Sequence, residues 1–228
     1  MLLIGHRGAP FHFPANTIAA FRAAYDFGCD WVECDCRVSS DGVIVLAHDP
    51  EVTDRSGARY EIAGSTAGQL AEVDLGASQG VPRLEELADL AIQTGGSVVA
   101  DIKVDGHEDK IARLLASLAP GRKIVSGAGD EGRQRFRQID PQICLALTVS
   151  RREEDSLIQR WDAIDTPAVC FEYPLINAER LADLHRRHIQ VHAWTVDQPE
   201  MMEMLAERGV DGLISNRPDL LCQIFKSS

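Results

Sequence analysis

The sequence predicts an α/β fold: a (β/α)8 TIM barrel with a short excursion after its second strand. Three observations carry that expectation. Apolar stretches of strand length alternate with segments of helical period along the chain, giving eight strands. No linker, repeat or low-complexity run divides the 228 residues, so residues 1–228 read as a single domain of barrel size. The polar residues able to do chemistry fall at the ends of the predicted strands, where such barrels carry their active sites.

Leu2–Gly5 is a short apolar strand that runs into His6, Arg7 and Gly8. Ile18, Ala19, Phe21, Ala24 and Tyr25 then recur at helical spacing, with Asn16 or Thr17 as cap and Gly28 as terminator. The next strand spans 31–38. Side chains two apart share a face, so Trp31, Glu33, Asp35 and Arg37 line one side. Val32, Cys34, Cys36 and Val38 line the other, a small apolar set suited to packing under helices. A second extended run, Val43–Ala47, ends at His48 and Asp49. Residues 50–81 are rich in Gly, Ala and Ser, and read as an excursion with one short helix near Thr66–Glu72. From there the alternation is regular. Helices are predicted at Leu84–Gln93, 107–118, 130–138, 152–160, 177–188, 198–208 and 218–225. The strands between them are Ser97–Val104, 122–126, 142–149, 168–173, 189–196 and 211–215.

Composition narrows the function. Lys and Arg number 23 against 35 Asp and Glu, a net charge of −12 that opposes binding to nucleic acid or to anionic membranes. No run of roughly 18 apolar residues exists to span a bilayer. The N-terminus runs straight into the first motif, too soon for a signal peptide. Six cysteines show no Cys-x-x-Cys spacing and lie mostly in apolar stretches, as expected of a reduced, cytoplasmic protein.

Glu33 and Asp35 put two carboxylates about 7 Å apart on one face of a strand that otherwise reads as buried. Buried ionised carboxylates are costly unless paired or bound to a metal. A structural salt bridge to Arg37 is one solution, a bound cation the other. The strand-end pattern favours the cation. His6 and Arg7 end the first strand, and His48 follows the extension of the second. Asp101 and Lys103 end the third, and Trp194 lies near the end of the seventh, with His192 two residues earlier. Three carboxylates with no Cys or His beside them suit a hard cation, Mg²⁺ or Ca²⁺. A cation flanked by Arg7 and Lys103 makes a pocket for a phosphoryl oxygen, and two histidines can divide proton transfer. That set points to phosphodiester cleavage. With no Gly-rich phosphate loop or dinucleotide fingerprint, a nucleotide cofactor is not expected.

The motifs carry a resemblance along essentially the whole chain. They are His6-Arg7-Gly8, Pro14-Ala15-Asn16-Thr17 with Phe21, Glu33-x-Asp35, Asp41-Gly42 and His48-Asp49. Val81-Pro82-x-Leu84-Glu85-Glu86, Asp101-Ile102-Lys103, Trp194-Thr195-Val196 and Gly209-Val210-Asp211-Gly212 through Asn216-Arg217-Pro218 follow. In this order and spacing the chain resembles the glycerophosphodiester phosphodiesterase family. The resemblance implies a barrel enzyme that hydrolyses small glycerophosphodiesters to glycerol 3-phosphate and an alcohol with a divalent cation. It implies Glu33, Asp35 and Asp101 as metal ligands, His6 and His48 as the acid/base pair, and Arg7 and Lys103 as phosphate holders. The route it implies is a cyclic phosphate formed by attack of the glycerol 2-hydroxyl.

Two departures stand out. Ala15 replaces a glutamate of the family pattern, and the third carboxylate is Asp101 where the family usually has Glu. Asp there also resembles the sphingomyelinase D branch, so a phospholipase D-type enzyme acting on lysophospholipids or sphingomyelin is the alternative. Trp194 is read as a pocket wall. Glu172, ending the sixth strand, is a candidate for the leaving-group pocket or the metal shell. His12, His107, His185 and His188 read as solvated positions without function. Phe11 and Phe13 either grip an acyl chain or seal the loop after the first strand.

Overall fold

The computed structural model describes residues 1–152 and 166–226. Eight parallel strands close into a barrel, in the order β1 (Leu2–His6), β2 (Trp31–Val38), β6 (Ser97–Ile102), β7 (Lys123–Ser126), β8 (Cys144–Val149), β9 (Ala168–Glu172), β10 (Gln190–Trp194) and β11 (Gly212–Ser215). Closure comes from β1, which pairs with β11 through Ile4↔Ile214 and with β2 through His6↔Glu33. The helices outside are α1 (Ile18–Asp26), α3 (Leu84–Thr94), α4 (Glu108–Leu115), α5 (Asp130–Ile139), α6 (Ala178–Arg186), α7 (Pro199–Glu207) and α8 (Pro218–Lys226). The expected elements are present to within a few residues. The helix expected at 152–160 lies, from residue 153 on, outside the described residues.

The two faces of each strand serve two cores, as a two-residue period dictates. Val32, Cys34 and Cys36 pack outward with Phe21, Leu87 and Leu115 under the helices. Ile4, Trp31, Val99, Ile124, Ala146, Ala168, Cys170 and Ile214 fill the barrel. Local signals set the helix ends. Thr17 is the N-cap of α1, accepting the Ala20 N–H at 3.3 Å, and Gly95 closes α3 at φ 69°. Gly8 is demanded by packing as well as by its φ of 86°. A Cβ there would sit 2.5 Å from the Ala20 carbonyl carbon, so the turn after β1 lies directly on α1. Cys29 and Cys222 bring α8 to the turn before β2, with their Sγ atoms 3.5 Å apart and both thiols buried.

The excursion holds more order than its composition suggests. The short run β3 (Ile44–Leu46) pairs antiparallel with β2, through Cys36↔Leu46 and Val38↔Ile44. The expected helix is α2 (Ala67–Ala71), held by a capping box between Thr66 and Gln69. A hairpin of β4 (Glu51–Thr53) and β5 (Arg59–Glu61) was not expected. Three residues per strand are too few to declare a two-residue period. The turn is held instead by Asp54 Oδ1, which accepts the Ser56 and Ala58 amides at 2.8 and 2.9 Å. Val45, Ala47, Ile62, Ala67, Leu70 and Val81 form a separate small core beneath this excursion. Among the described residues no helix is long and apolar enough to cross a membrane.

Candidate active site

The C-terminal mouth of the barrel holds a cavity lined by His6, Arg7, Glu33, Asp35, His48, Asp101, Lys103 and Trp194, with Val99, Cys170 and Ile214 beneath. Eight of the nine residues singled out from the sequence therefore meet in one place. Register explains the meeting. Asp35 and Asp101 are direct neighbours across β2 and β6, and Glu33 is beside His6 across β1 and β2.

One ligand oxygen from each of Glu33, Asp35 and Asp101 lies within 4.8 Å of the others. Each carboxylate also takes a hydrogen bond from a protein donor. Glu33 Oε2 accepts the Arg7 amide at 3.0 Å, Asp35 Oδ2 accepts Asn16 Nδ2 at 2.8 Å, and Asp101 Oδ1 accepts Ser126 Oγ at 2.8 Å. Lys103 Nζ bridges Asp35 Oδ1, at 2.9 Å, and Asp101 Oδ2. Arg7 Nε lies 3.0 Å from Asp35 Oδ2, an ion pair whose N–H does not point along a hydrogen bond. The three acids share too little positive charge. Burial, then the charges of Asp35 and Asp101, push the Glu33 carboxyl well above its ordinary range. Burial works the same way on Asp35, but Lys103, Arg7 and the Asn16 hydrogen bond outweigh it and hold Asp35 low. A divalent cation among these oxygens would relieve Glu33, so an all-oxygen donor set of this kind fits a hard metal ion.

The two histidines are held differently. His6 Nδ1 lies 2.7 Å from Asn216 Oδ1, and Asn216 Nδ2 donates to Asp197 Oδ2 at 2.8 Å. The Asp197 carboxylate can only accept, so it turns the amide oxygen toward His6. His6 must then carry its proton on Nδ1, which leaves Nε2 as a free base. Burial and Arg7 lower the His6 pKa to about 4, against a smaller raising effect of Asn216, so the ring is neutral at neutral pH. His48 is 43% exposed in its side chain and pairs through Nδ1 with Asp49 Oδ1 at 2.8 Å. Its backbone carbonyl accepts Arg37 Nε and Nη2 at 2.8 and 2.6 Å. Arg37 thus anchors the His48 loop and does not neutralise the carboxylates of its own strand.

Two expectations, for Glu172 and His192, need correction. Glu172 is not among the residues lining the cavity: Arg151 holds it at the rim, through the amide at 2.9 Å and Nε at 2.6 Å. His192 is not at the mouth. Its register partners are Cys170 and Gly212, one layer below Trp194, and it is fully buried with Nε2 unpartnered. Trp194 is fixed as a wall by its Nε1, which donates to the Cys170 carbonyl at 2.9 Å. Phe13 packs on the outer core, whereas Phe11 is 64% exposed beneath the Arg217 guanidinium. His12 lies 3.4 Å from Asp219 and His185 2.9 Å from Asp211, both away from the cavity. The sequence assigns no role to Asp197 or Ser126, and offers Asn16 as a possible cap and as part of the Pro14-Ala15-Asn16-Thr17 motif. Once Thr17 takes the capping role, Asn16 is free, and its place in a motif was the available signal.

The profile of the Glycerophosphoryl diester phosphodiesterase family matches residues 6–220. The chain belongs to this family. Glycerophosphoryl diester phosphodiesterases are phosphoric diester hydrolases, and the chain is an enzyme of that class. It is 28% identical over 240 residues to a probable glycerophosphodiester phosphodiesterase 2 of Mycobacterium tuberculosis, covering 98% of this chain and 90% of that one. It is 26% identical over 241 residues to a glycerophosphodiester phosphodiesterase of Caldanaerobacter subterraneus, covering 99% and 98%. Among solved structures it superposes on a phosphodiesterase of Oleispira antarctica in complex with the product sn-glycerol-3-phosphate. The TM-score there is 0.87 at 21% identity, over 99% of this chain and 97% of that one. A putative glycerophosphoryl diester phosphodiesterase of Silicibacter pomeroyi gives the same TM-score of 0.87 at 23% identity, over 100% and 93%.

Proposed function

We propose that the protein is a divalent-cation-dependent glycerophosphodiester phosphodiesterase, hydrolysing small glycerophosphodiesters to sn-glycerol 3-phosphate and an alcohol. The convergence of Glu33, Asp35 and Asp101 with His6, His48 and Lys103 in one cavity carries the reading. Glu33, Asp35 and Asp101 would hold the metal ion, Mg²⁺ or Ca²⁺. When bound, it supplies Lewis-acid stabilisation of the charge that develops on the phosphoryl oxygens. Arg7 and Lys103 supply the remaining positive charge and orient the phosphodiester. Trp194 and the apolar floor of Val99 and Ile214 exclude water from one side of the substrate.

Proton transfer divides between the histidines. His6, neutral with Nε2 unprotonated, accepts a proton from the attacking glycerol 2-hydroxyl. His48, oriented by Asp49 and by the Arg37 clamp on its backbone, delivers a proton to the departing alcohol oxygen. A cyclic phosphate then opens with the roles reversed, water giving its proton to His48 and the glycerol oxygen receiving one from His6. The chain acts as one domain in this reading, because the mouth needs residues from β1 through β11.

The test is a panel of glycerophosphocholine, glycerophosphoethanolamine and glycerophosphoglycerol, assayed for glycerol 3-phosphate with and without EDTA. Turnover of at least one diester, lost on chelation and restored by Mg²⁺ or Ca²⁺, is expected. Activity unchanged after exhaustive chelation would remove the metal from the mechanism. The exposed Phe11, with Asp101 in place of the usual glutamate, favours the lipid-directed alternative. A clear preference for a lysophospholipid, lost in Phe11→Ser, would install that reading in place of the soluble diester.

A further inference from the structure

The three metal-site carboxylates are not free to choose how they meet a cation. In each, one oxygen is already held by a hydrogen-bond donor. Glu33 gives Oε2 to the Arg7 amide, Asp35 gives Oδ2 to Asn16 Nδ2, and Asp101 gives Oδ1 to Ser126 Oγ. The opposite oxygens of Asp35 and Asp101 face Lys103 Nζ, the cation shared between them. Asn16 makes the strongest clamp. Its Oδ1 also accepts the Asp35 amide at 3.1 Å, and its own amide donates to the Arg7 carbonyl at 3.0 Å. It is 3% exposed and held at φ 60°, a backbone conformation that costs energy for a residue with a side chain. Thr17 performs the capping of α1, so Asn16 is not retained for that purpose.

We infer that Asn16 and Ser126, with the Arg7 amide, fix the orientation of each carboxylate so that one oxygen is presented in preference to both, and so select a small six-coordinate cation over calcium. Calcium commonly takes six to eight oxygens and accepts carboxylates through both oxygens, in adaptable geometry. Magnesium demands near-octahedral geometry and keeps several water or substrate oxygens. Three single oxygens on a rigid barrel rim satisfy the second requirement and withhold the extra contacts that favour the first. Asn16 and Ser126 are positioning residues: they act on the ion only through Asp35 and Asp101.

The inference rests on the metal site proposed above, and the experiment separates the two. Chelator-stripped protein is titrated calorimetrically with MgCl₂ and with CaCl₂, in the parent, Ser126→Ala, Ser126→Thr and Asn16→Gly. Glycine suits the left-handed backbone at residue 16, so that variant removes the side chain without adding strain. The parent is expected to bind Mg²⁺ more tightly than Ca²⁺. Ser126→Ala and Asn16→Gly should each lower Mg²⁺ affinity by roughly tenfold or more, as loss of an outer partner does, and Ca²⁺ affinity by less. Ser126→Thr keeps the hydroxyl and should restore the parental ratio, which a merely structural serine would not require. If Asn16→Gly proves unfolded by circular dichroism, the Ser126 pair decides alone. A parent that prefers Ca²⁺, or a Mg²⁺/Ca²⁺ ratio unchanged by Ser126→Ala, overturns the selection by pinned oxygens while leaving the metal site standing. A parent that binds neither ion overturns the metal site itself.

Discussion

Gly127 lies against Asp101 so closely that a Cβ at residue 127 would sit 2.4 Å from Asp101 Oδ1. That oxygen is the one held by Ser126, so the turn after β7 forms the backing of the third carboxylate of the proposed metal site. Gly127 also has a φ of 73°, so a side chain there meets both backbone strain and a collision. Gly127→Ala should cost about 1–3 kcal/mol of stability. It should also weaken Mg²⁺ binding by displacing Asp101. Thermal melting and calorimetric titration of the same preparation check the two effects together. Normal metal affinity in a destabilised variant would show that Asp101 is set from elsewhere.

Removing the clamp on His6 separates positioning from chemistry. Asn216→Ala leaves the imidazole in place but no longer dictates which nitrogen carries the proton. Turnover should fall by roughly 10–100-fold, the usual cost of losing a partner that orients a functional ligand. Divalent-ion affinity should stay near that of the parent. A kcat within twofold of the parent would remove Asn216 from any role in setting the tautomer.

His6→Ala and His48→Ala should each lower turnover by ~10²–10⁴-fold, the range of general acid–base catalysis. Neither side chain fills the core, so both variants should melt within a few degrees of the parent. Because His48 is the more exposed of the two, its variant should show the smaller change in melting temperature. A His48→Ala enzyme with near-parental kcat would move the acid role to another group.

Stability should fall as pH drops through the histidine range. Burial lowers the His192 pKa from 6.5 to about 4, so the native ring stays neutral while the unfolded chain takes up a proton. The contribution is fully present above about pH 6.5 and is lost progressively toward pH 4, worth up to roughly 3 kcal/mol. His6 acts in the same direction. Glu33, pushed up by burial, acts in the opposite one when no metal is bound, since its native form holds a proton that the unfolded chain releases. Comparing the parent with His192→Leu cancels both. The difference in urea-unfolding free energy between the two proteins should change between pH 4.5 and 7 and level off above. A difference independent of pH would mean that His192 titrates normally in the native state.

Periodicity makes the barrel and most of the residues at its mouth legible in the sequence. A two-residue period puts Glu33 and Asp35 on one face and Val32, Cys34 and Cys36 on the other, and the structure keeps that division. The same local logic placed His6, His48, Asp101, Lys103 and Trp194 at strand ends, where the barrel gathers them. What period cannot supply is register, because the offset between strands is set by closure of the whole sheet. The strand step puts His192 one layer below Trp194 on the same face, and closure of the sheet around it makes that layer fully buried interior. Closure brings Asn216 to His6 across 210 residues, and through Asp197 decides which ring nitrogen is the base. It also gives Glu172 to Arg151 at the rim, and Arg37 to the His48 carbonyl in place of a carboxylate. The residue types and their faces were written in the sequence. Which oxygen each carboxylate has left to offer was decided only when Arg7, Asn16 and Ser126 arrived from three other parts of the chain, since a hydrogen bond over such separations exists only in the folded barrel.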